Sequence, residues 1–304
     1  MRSSTSTSAA LLLVALASSA CTIGDAGSAG PAASSASSAA IDPGAPGSPA
    51  PAAPSASAPS IPARPDPLRT ALDRAVSSLP GQASIAVAGG GRVVAAGNVT
   101  GLPAWSTSKV PLVMAAMQRA GTTEPTVTAD MRAAITRSDN DAAEAIWTSL
   151  GTPAKAGIAM QQVLRAGGDS ETVVQFSKVR PEYSAFGQTR WEDGPAATFA
   201  AGLPCTPSGR ATAALMREVD ANQQWGAYGL RGAQSVGVKG GWGPGTDGAY
   251  VVRQLAVVQT ARGYTGVMLS ARPADGAFAS GRAALTRLAE TVRQQLGVLP
   301  AGSC

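Results

Sequence analysis

Residues 105–121 read WSTSKVPLVMAAMQRAG. A serine, two spacers and a lysine stand at the head of an apolar stretch that predicts a helix to about Ala120. Positions i and i+3 share a helix face, so Ser106 and Lys109 can meet there. A serine hydroxyl is a weak nucleophile until a neighbour takes its proton. Lysine can do so only if its pKa falls, which burial and the positive end of a helix both promote. That helix end also offers N–H groups to a developing oxyanion. The plain alternative is a serine N-cap beside an exposed lysine.

The rest of the chain narrows the choice. It contains no histidine, which excludes Ser-His-Asp and Cys-His catalysis and every histidine metal site. No metal or cofactor is expected. A nucleophile here must draw on lysine, a carboxylate or a tyrosine. Lysine is scarce, and the four present are Lys109, Lys155, Lys178 and Lys239.

Two further segments follow in order. TADMRAAITRSDNDAAEAIWTSLG (128–151) reads as two helices around the turn-prone Ser138-Asp139-Asn140, which caps the second. SVGVKGGWG (235–243) reads as a strand carrying Lys239-Gly240-Gly241. Ser-x-x-Lys, Ser-Asp-Asn and Lys-Thr-Gly form the signature of class A β-lactamases and penicillin-binding proteins. The chain resembles the serine β-lactamase and D,D-peptidase superfamily, nearest class A. It also resembles alanine-rich lipoprotein-type members from actinobacteria. The likeness spans most of 67–304 and is strongest over 104–116, 128–151 and 236–243.

The resemblance implies roles. Ser106 is the acylated nucleophile and Lys109 its base. Ser138 relays a proton to the leaving group, Asn140 holds the substrate amide, and Lys239 tunes the site and attracts an anionic substrate. The oxyanion hole falls to the backbone N–H groups of Ser106 and Trp242, the residue after Gly241.

The pattern also breaks. Gly240 stands where the family has a threonine or serine that helps hold the substrate carboxylate, and Trp242 is bulky for its place. The Glu-x-x-Leu-Asn loop that positions deacylating water has only a loose echo at Glu171, with Glu182 as an alternative. Lys178 is a candidate for the space that glutamate fills. The interval from Ser106 to Ser138 is shorter than in class A enzymes. These departures predict poor β-lactam turnover.

Working outward, PDPLRTALDRAVSSLPG (65–81) predicts an amphipathic helix and ASIAVAGGGRVVAAGNV (83–99) a hairpin turning at Gly89-Gly90-Gly91. Helices follow over 156–168 and 208–226, and residues 169–204 are the least regular. Met114 and Met117 read as core. Strands YVVRQLAVVQT (250–260) and TGVMLSARP (265–273) precede a closing amphipathic helix over 279–299. The expected architecture is α/β of the α+β kind. One antiparallel sheet of about five strands is flanked by terminal helices, with a helical lobe at about 106–226. RWEDG (190–194) reads as a loop and helix start, with Glu192 and Asp193 suited to a helix N-terminus.

Residues 1–21 read as an export signal, with Arg2, an apolar core at 9–17 and SSAC ending at Cys21. Lipidation of Cys21 competes with ordinary secretory cleavage after Ala20, since Ser18 stands where the lipoprotein pattern has leucine. Residues 22–66, rich in Ala, Ser, Pro and Gly, form a tether too poor in apolar side chains to fold. Both readings export the protein, as a lipoprotein on the outer face of the plasma membrane or as a secreted form. A lipid anchor would be its only membrane link. In an oxidising compartment Cys205 and Cys304 are expected to pair.

The chain has 24 basic and 19 acidic residues. Leaving out Arg2, Arg64, Asp25, Asp42 and Asp66 gives 22 and 16 for the domain, a net +6. No basic run with aromatic interleaving is present, so nucleic acid is not an expected partner. No feature specifies an oligomeric state. The sequence supports an exported serine hydrolase acting on a cell-wall-derived or other small acyl substrate, with a non-catalytic envelope binding module as the alternative.

Overall fold

The computed structural model describes residues 66–304. The export signal, Cys21 and all of the tether but Asp66 lie outside the described residues. Asp66 is the N-cap of helix α1 (Pro67–Ser77), where its carboxylate accepts from the Leu68 N–H and Pro67 occupies the first helical position. Strands β1 (Gly81–Gly89) and β2 (Arg92–Gly97) form the expected hairpin. Strands β3 (Ser235–Pro244), β4 (Tyr250–Thr260) and β5 (Gly263–Pro273) complete a five-stranded antiparallel sheet in the order β2-β1-β5-β4-β3. Early and late parts of the described residues therefore meet in the sheet, through β1 and β5.

Both faces of this sheet are covered, so β4 is buried from Val251 to Val258 and β5 from Thr265 to Ala271, on both sides of each strand and with Arg253, Gln254 and Ser270 buried among the apolar residues. On one face Ile85, Val87, Val238, Val252 and Leu269 pack with α1 and the closing helix α8 (Phe278–Gln294), through Leu72, Leu285 and Leu288. On the other face Ala86, Leu255 and Met268 join the core of the helical lobe. The terminal helices thus flank one face of the sheet only.

The lobe comprises α2 (Lys109–Arg119), α3 (Ala129–Thr136), α4 (Asn140–Ser149), α5 (Pro153–Ala166) and α7 (Pro207–Arg217). Its helix starts are capped by side chains that the sequence supplies at the right places. Thr128, Asp139, Thr152 and Thr206 accept from Met131, Ala142, Lys155 and Gly209 N–H groups. Met114 and Met117 are core, as expected. Helix α7 ends at Arg217, short of the predicted Gly226, and two 3₁₀ turns follow it.

Two other expectations are corrected. Residues 169–204 contain helix α6 (Asp193–Gly202), which lies on the sheet against β1, β4 and β5 rather than in the lobe. Its sequence DGPAATFAAG has no polar stripe because the helix is covered all round. Asp193 does begin that helix but is buried. It accepts from the Arg253 guanidinium at 2.7 Å and from the Ser270 and Ser84 hydroxyls. Arg253 also donates to the backbone carbonyls of Leu102, Pro103 and Trp191, which fixes the chain leading to Trp105.

Cys205 and Cys304 are joined in a disulfide, with Cα atoms 5.0 Å apart. The tail it holds also exchanges backbone hydrogen bonds between Gly302 and Tyr264. No described helix is long and apolar enough to cross a membrane.

Candidate active site

The Ser-x-x-Lys segment departs from a simple helix start. Trp105–Ser108 is a 3₁₀ turn, and α2 begins only at Lys109. Trp105 has φ 50°, a left-handed conformation that is costly for a bulky residue. Such conformations persist only where the surroundings over-determine them. Here the Trp105 ring packs edge-on against Tyr183 with centroids 4.9 Å apart, and the Arg253 network holds the preceding carbonyls. The turn leaves Ser106 half-buried and caps no helix with it.

Lys109 is buried, with 1% of its surface exposed. Its Nζ donates to the Ser138 carbonyl at 2.6 Å and to Asn140 Oδ1 at 2.7 Å. It makes no hydrogen bond to Ser106, whose hydroxyl is unpaired among the described residues. Burial pushes the Lys109 pKa down to about 7, against a partial upward pull from Asp139 and Glu144.

Ser138 lies in the turn between α3 and α4, with φ 60°. That conformation lets its backbone and side chain serve two cations at once. While its carbonyl accepts from Lys109, its hydroxyl accepts from Lys239 Nζ at 2.8 Å. Lys239, on β3, is completely buried. Burial, and then the positive charge of Lys109, hold its pKa well below the ordinary lysine range. Its other acceptors are Gln223 Oε1 at 2.6 Å and the Gly240 carbonyl at 2.8 Å.

Strand β3 is a sheet edge, and it runs close to the 3₁₀ turn. A Cβ on Gly241 would lie 2.8 Å from the Ala104 carbonyl and 3.0 Å from the Ser106 nitrogen, so only glycine fits. Gly240 faces the other way. A Cβ there would come within 3.0 Å of the Trp225 and Trp242 rings. These indoles belong to an aromatic cluster with Phe278 and Tyr250. The Trp242 side chain therefore turns to the face opposite Ser106's contact with Gly241, and the cluster occupies the space a threonine at 240 would need.

Ser106, Lys109, Ser138, Asn140 and Trp242 line one cavity of about 450 Å³. Glu182 and Lys178 line it too, while Glu171 does not. Glu182 is half exposed and paired with Arg180 at 3.1 Å. Glu171 lines a neighbouring cavity of about 1050 Å³, which borders the first at Trp105. The sequence reading passed over Gln223 and Glu144. Gln223 accepts from Lys239 and from the Gly240 N–H, and donates to the Ile135 and Thr136 carbonyls, so it ties the lobe to β3. Glu144 lines the Ser106 cavity. Its i+4 spacing from Asn140 was the available signal.

No protein-family profile and no curated protein matches the chain. Solved structures do match. A β-lactamase from Burkholderia vietnamiensis aligns with TM-score 0.60 and 17% identity, over 78% of this chain and 99% of that one. A class A β-lactamase from Mycobacterium abscessus aligns with TM-score 0.57 and 16% identity, over 76% and 100%. A mutant of a reconstructed ancestral Gram-negative class A β-lactamase gives 0.57 and 21%, over 76% and 99%. The chain has the class A β-lactamase fold. Within that fold, the three motif segments converge on the cavity at Ser106, and the aromatic cluster behind Gly240 accompanies the departure from Lys-Thr-Gly. Among the described residues no group of His, Cys, Asp and Glu could hold a metal ion.

Proposed function

We propose that this chain is an exported serine acyl-enzyme hydrolase of the β-lactamase and D,D-peptidase superfamily, acting on a cell-envelope amide or ester. The observation that carries the reading is the double use of Ser138, which links two buried lysines beside the unpaired Ser106 hydroxyl. A lysine titrating near 7 is half neutral at physiological pH and can accept the Ser106 proton as the hydroxyl attacks. The oxyanion would lie between the backbone N–H groups of Ser106 and Trp242. Asn140 gives its Oδ1 to Lys109, which leaves its amide N–H groups for a substrate carbonyl. The Ser138 hydroxyl, backed by Lys239, would protonate the leaving group.

Gly240 supplies no hydroxyl for a substrate carboxylate. The favoured substrate is therefore an acyl compound that does not depend on that contact, and β-lactams are poor substrates. The disulfide is in keeping with an oxidising compartment. Cys21 is the proposed lipid attachment point, with free secretion as the other route out of the cell.

The test is intact mass after incubation with a penicillin, a D-Ala-D-Ala thioester and a fluorophosphonate, for the wild type and Ser106→Ala. An adduct on the wild type alone is expected. A second reading, an envelope binding module, is favoured by the missing Ser106–Lys109 hydrogen bond and the missing hydroxyl at 240. It predicts no adduct from any probe, with saturable binding of cell-wall fragments by both proteins. Efficient nitrocefin hydrolysis would refute the expected weakness toward β-lactams.

A further inference from the structure

The acyl-enzyme reading leaves one chemical requirement open. An ester at Ser106 is released only if water attacks its carbonyl carbon, and that water must lose a proton. Glu171 is in the wrong cavity for this task, and Glu182 is engaged with Arg180. Glu144 is neither. It stands one turn beyond Asn140 on α4, on the same helix face, and lines the cavity shared by Ser106 and Lys109. It is half-buried, and its carboxylate has no hydrogen-bond or ion-pair partner among the described residues. Its charge is near enough to act on Lys109, yet no hydrogen bond joins the two. The cavity that Glu144 shares with Ser106 is about 450 Å³, which is space for a water molecule beside an acyl group.

We propose that Glu144 is the general base of deacylation, working from the α4 helix rather than from the loop after α5. Its carboxylate takes a proton from water as the water oxygen bonds to the acyl carbon. The tetrahedral species then collapses, the bond from carbon to Ser106 Oγ breaks, and Oγ recovers the proton. The products are the free acid and the original serine. The inference rests on the acyl-enzyme reading and identifies the residue that would make it catalytic rather than a dead end.

The experiment uses the purified protein and whichever of the penicillin, the thioester or a p-nitrophenyl ester acylates it. The pre-steady-state burst reports acylation, and the decay of the adduct mass reports deacylation. Glu144→Gln is expected to lengthen adduct lifetime on the order of 100-fold, the usual worth of a general base. Its burst rate at neutral pH should not fall, because losing the carboxylate removes an upward pull on Lys109 and leaves more of it neutral. Glu144→Asp should fall between wild type and Gln. The other titratable groups facing the cavity are Lys109, Asp141, Lys178, Glu182 and Tyr183, and they remain in both proteins. An adduct of unchanged lifetime in Glu144→Gln overturns the inference while the acyl-enzyme stands. So does a slow Glu182→Gln beside a normal Glu144→Gln. No adduct on the wild type overturns the acyl-enzyme reading and this inference with it.

Discussion

Two regions of this molecule bury a cation on neighbouring strands, and they treat it in opposite ways. Arg253 on β4 and Lys239 on β3 are both completely buried, and Gly241, two residues along β3, is the register partner of Arg253. Arg253 meets a carboxylate, Asp193, which is itself held by Ser270 and Ser84. Lys239 meets only neutral oxygens, from Ser138, Gln223 and Gly240. Lys109 is held the same way, by a carbonyl and an amide oxygen. Arginine in a saturated network keeps its proton and fixes structure. Lysine without a carboxylate at hydrogen-bond distance is driven toward its neutral form. The partner, rather than burial alone, separates a structural cation from a reactive one.

The largest effect should come from breaking the first region. Asp193→Ala leaves Arg253 buried without its counter-charge and should cost about 3–5 kcal/mol of stability, read by denaturant unfolding. A loss under about 1 kcal/mol would mean the network is not what holds the 102–105 segment.

The second region should respond to pH instead. The Lys109 pKa is lower in the folded state than in the unfolded chain, so between about 7 and the ordinary lysine value the unfolded state binds more protons. Lys109 should therefore add about 2 kcal/mol of stability from pH 7 to 9, alongside a contribution of the same sign from Lys239, and the rise should shrink in Lys109→Met. The acylation rate should rise by no more than about two-fold over the same range and level off above about pH 8, as the neutral amine is the base. A flat stability profile would show that Lys109 keeps its charge when buried.

Gly240→Thr tests whether the aromatic cluster excludes the hydroxyl. Overpacking against Trp225 and Trp242 should cost about 1–3 kcal/mol in thermal unfolding. The smallest effect sharpens the contrast with Asp193. Lys239→Met removes a buried amine that has no counter-charge but leaves the Ser138, Gln223 and Gly240 oxygens without its N–H groups, two effects that oppose each other, so its stability change at pH 7 should be smaller than that of Asp193→Ala. It should nonetheless abolish adduct formation.

Much of this was legible in the sequence, and the losses have physical causes. The hairpin, the three late strands and the closing helix follow from periodicity and glycine turns. The cap at Asp139 follows from the turn-prone Ser138-Asp139-Asn140. The start of helix α6 was legible at Glu192 and Asp193, but its course through an irregular-looking segment was not, because a helix wrapped on all sides carries no amphipathic signal. Asp193 was assigned to a helix end, and it does sit there, but its ion pair with Arg253 joins residues 60 apart in sequence. Gln223 was invisible for the same reason, since its partners lie on α3 and β3. The proximity of Ser106 and Lys109 was inferred from helical spacing. The 3₁₀ turn and the pull of Ser138 and Asn140 direct the lysine elsewhere, which local spacing could not reveal.

The disulfide divides the cleft into residues inside a covalent ring and residues outside it. Cys205 and Cys304 are 99 residues apart, so they close a covalent ring containing α7, β3, β4, β5 and α8. Gln223, Lys239, Gly241 and Trp242 are inside the ring, while Ser106, Lys109, Ser138 and Asn140 are outside it. A single proteolytic cut anywhere from Thr206 to Ser303 would open the ring without releasing a fragment. A nicked chain would migrate whole on a non-reducing gel and fall into two pieces only after reduction. A molecule cut once inside the ring would still keep every residue of its cleft in one covalent body.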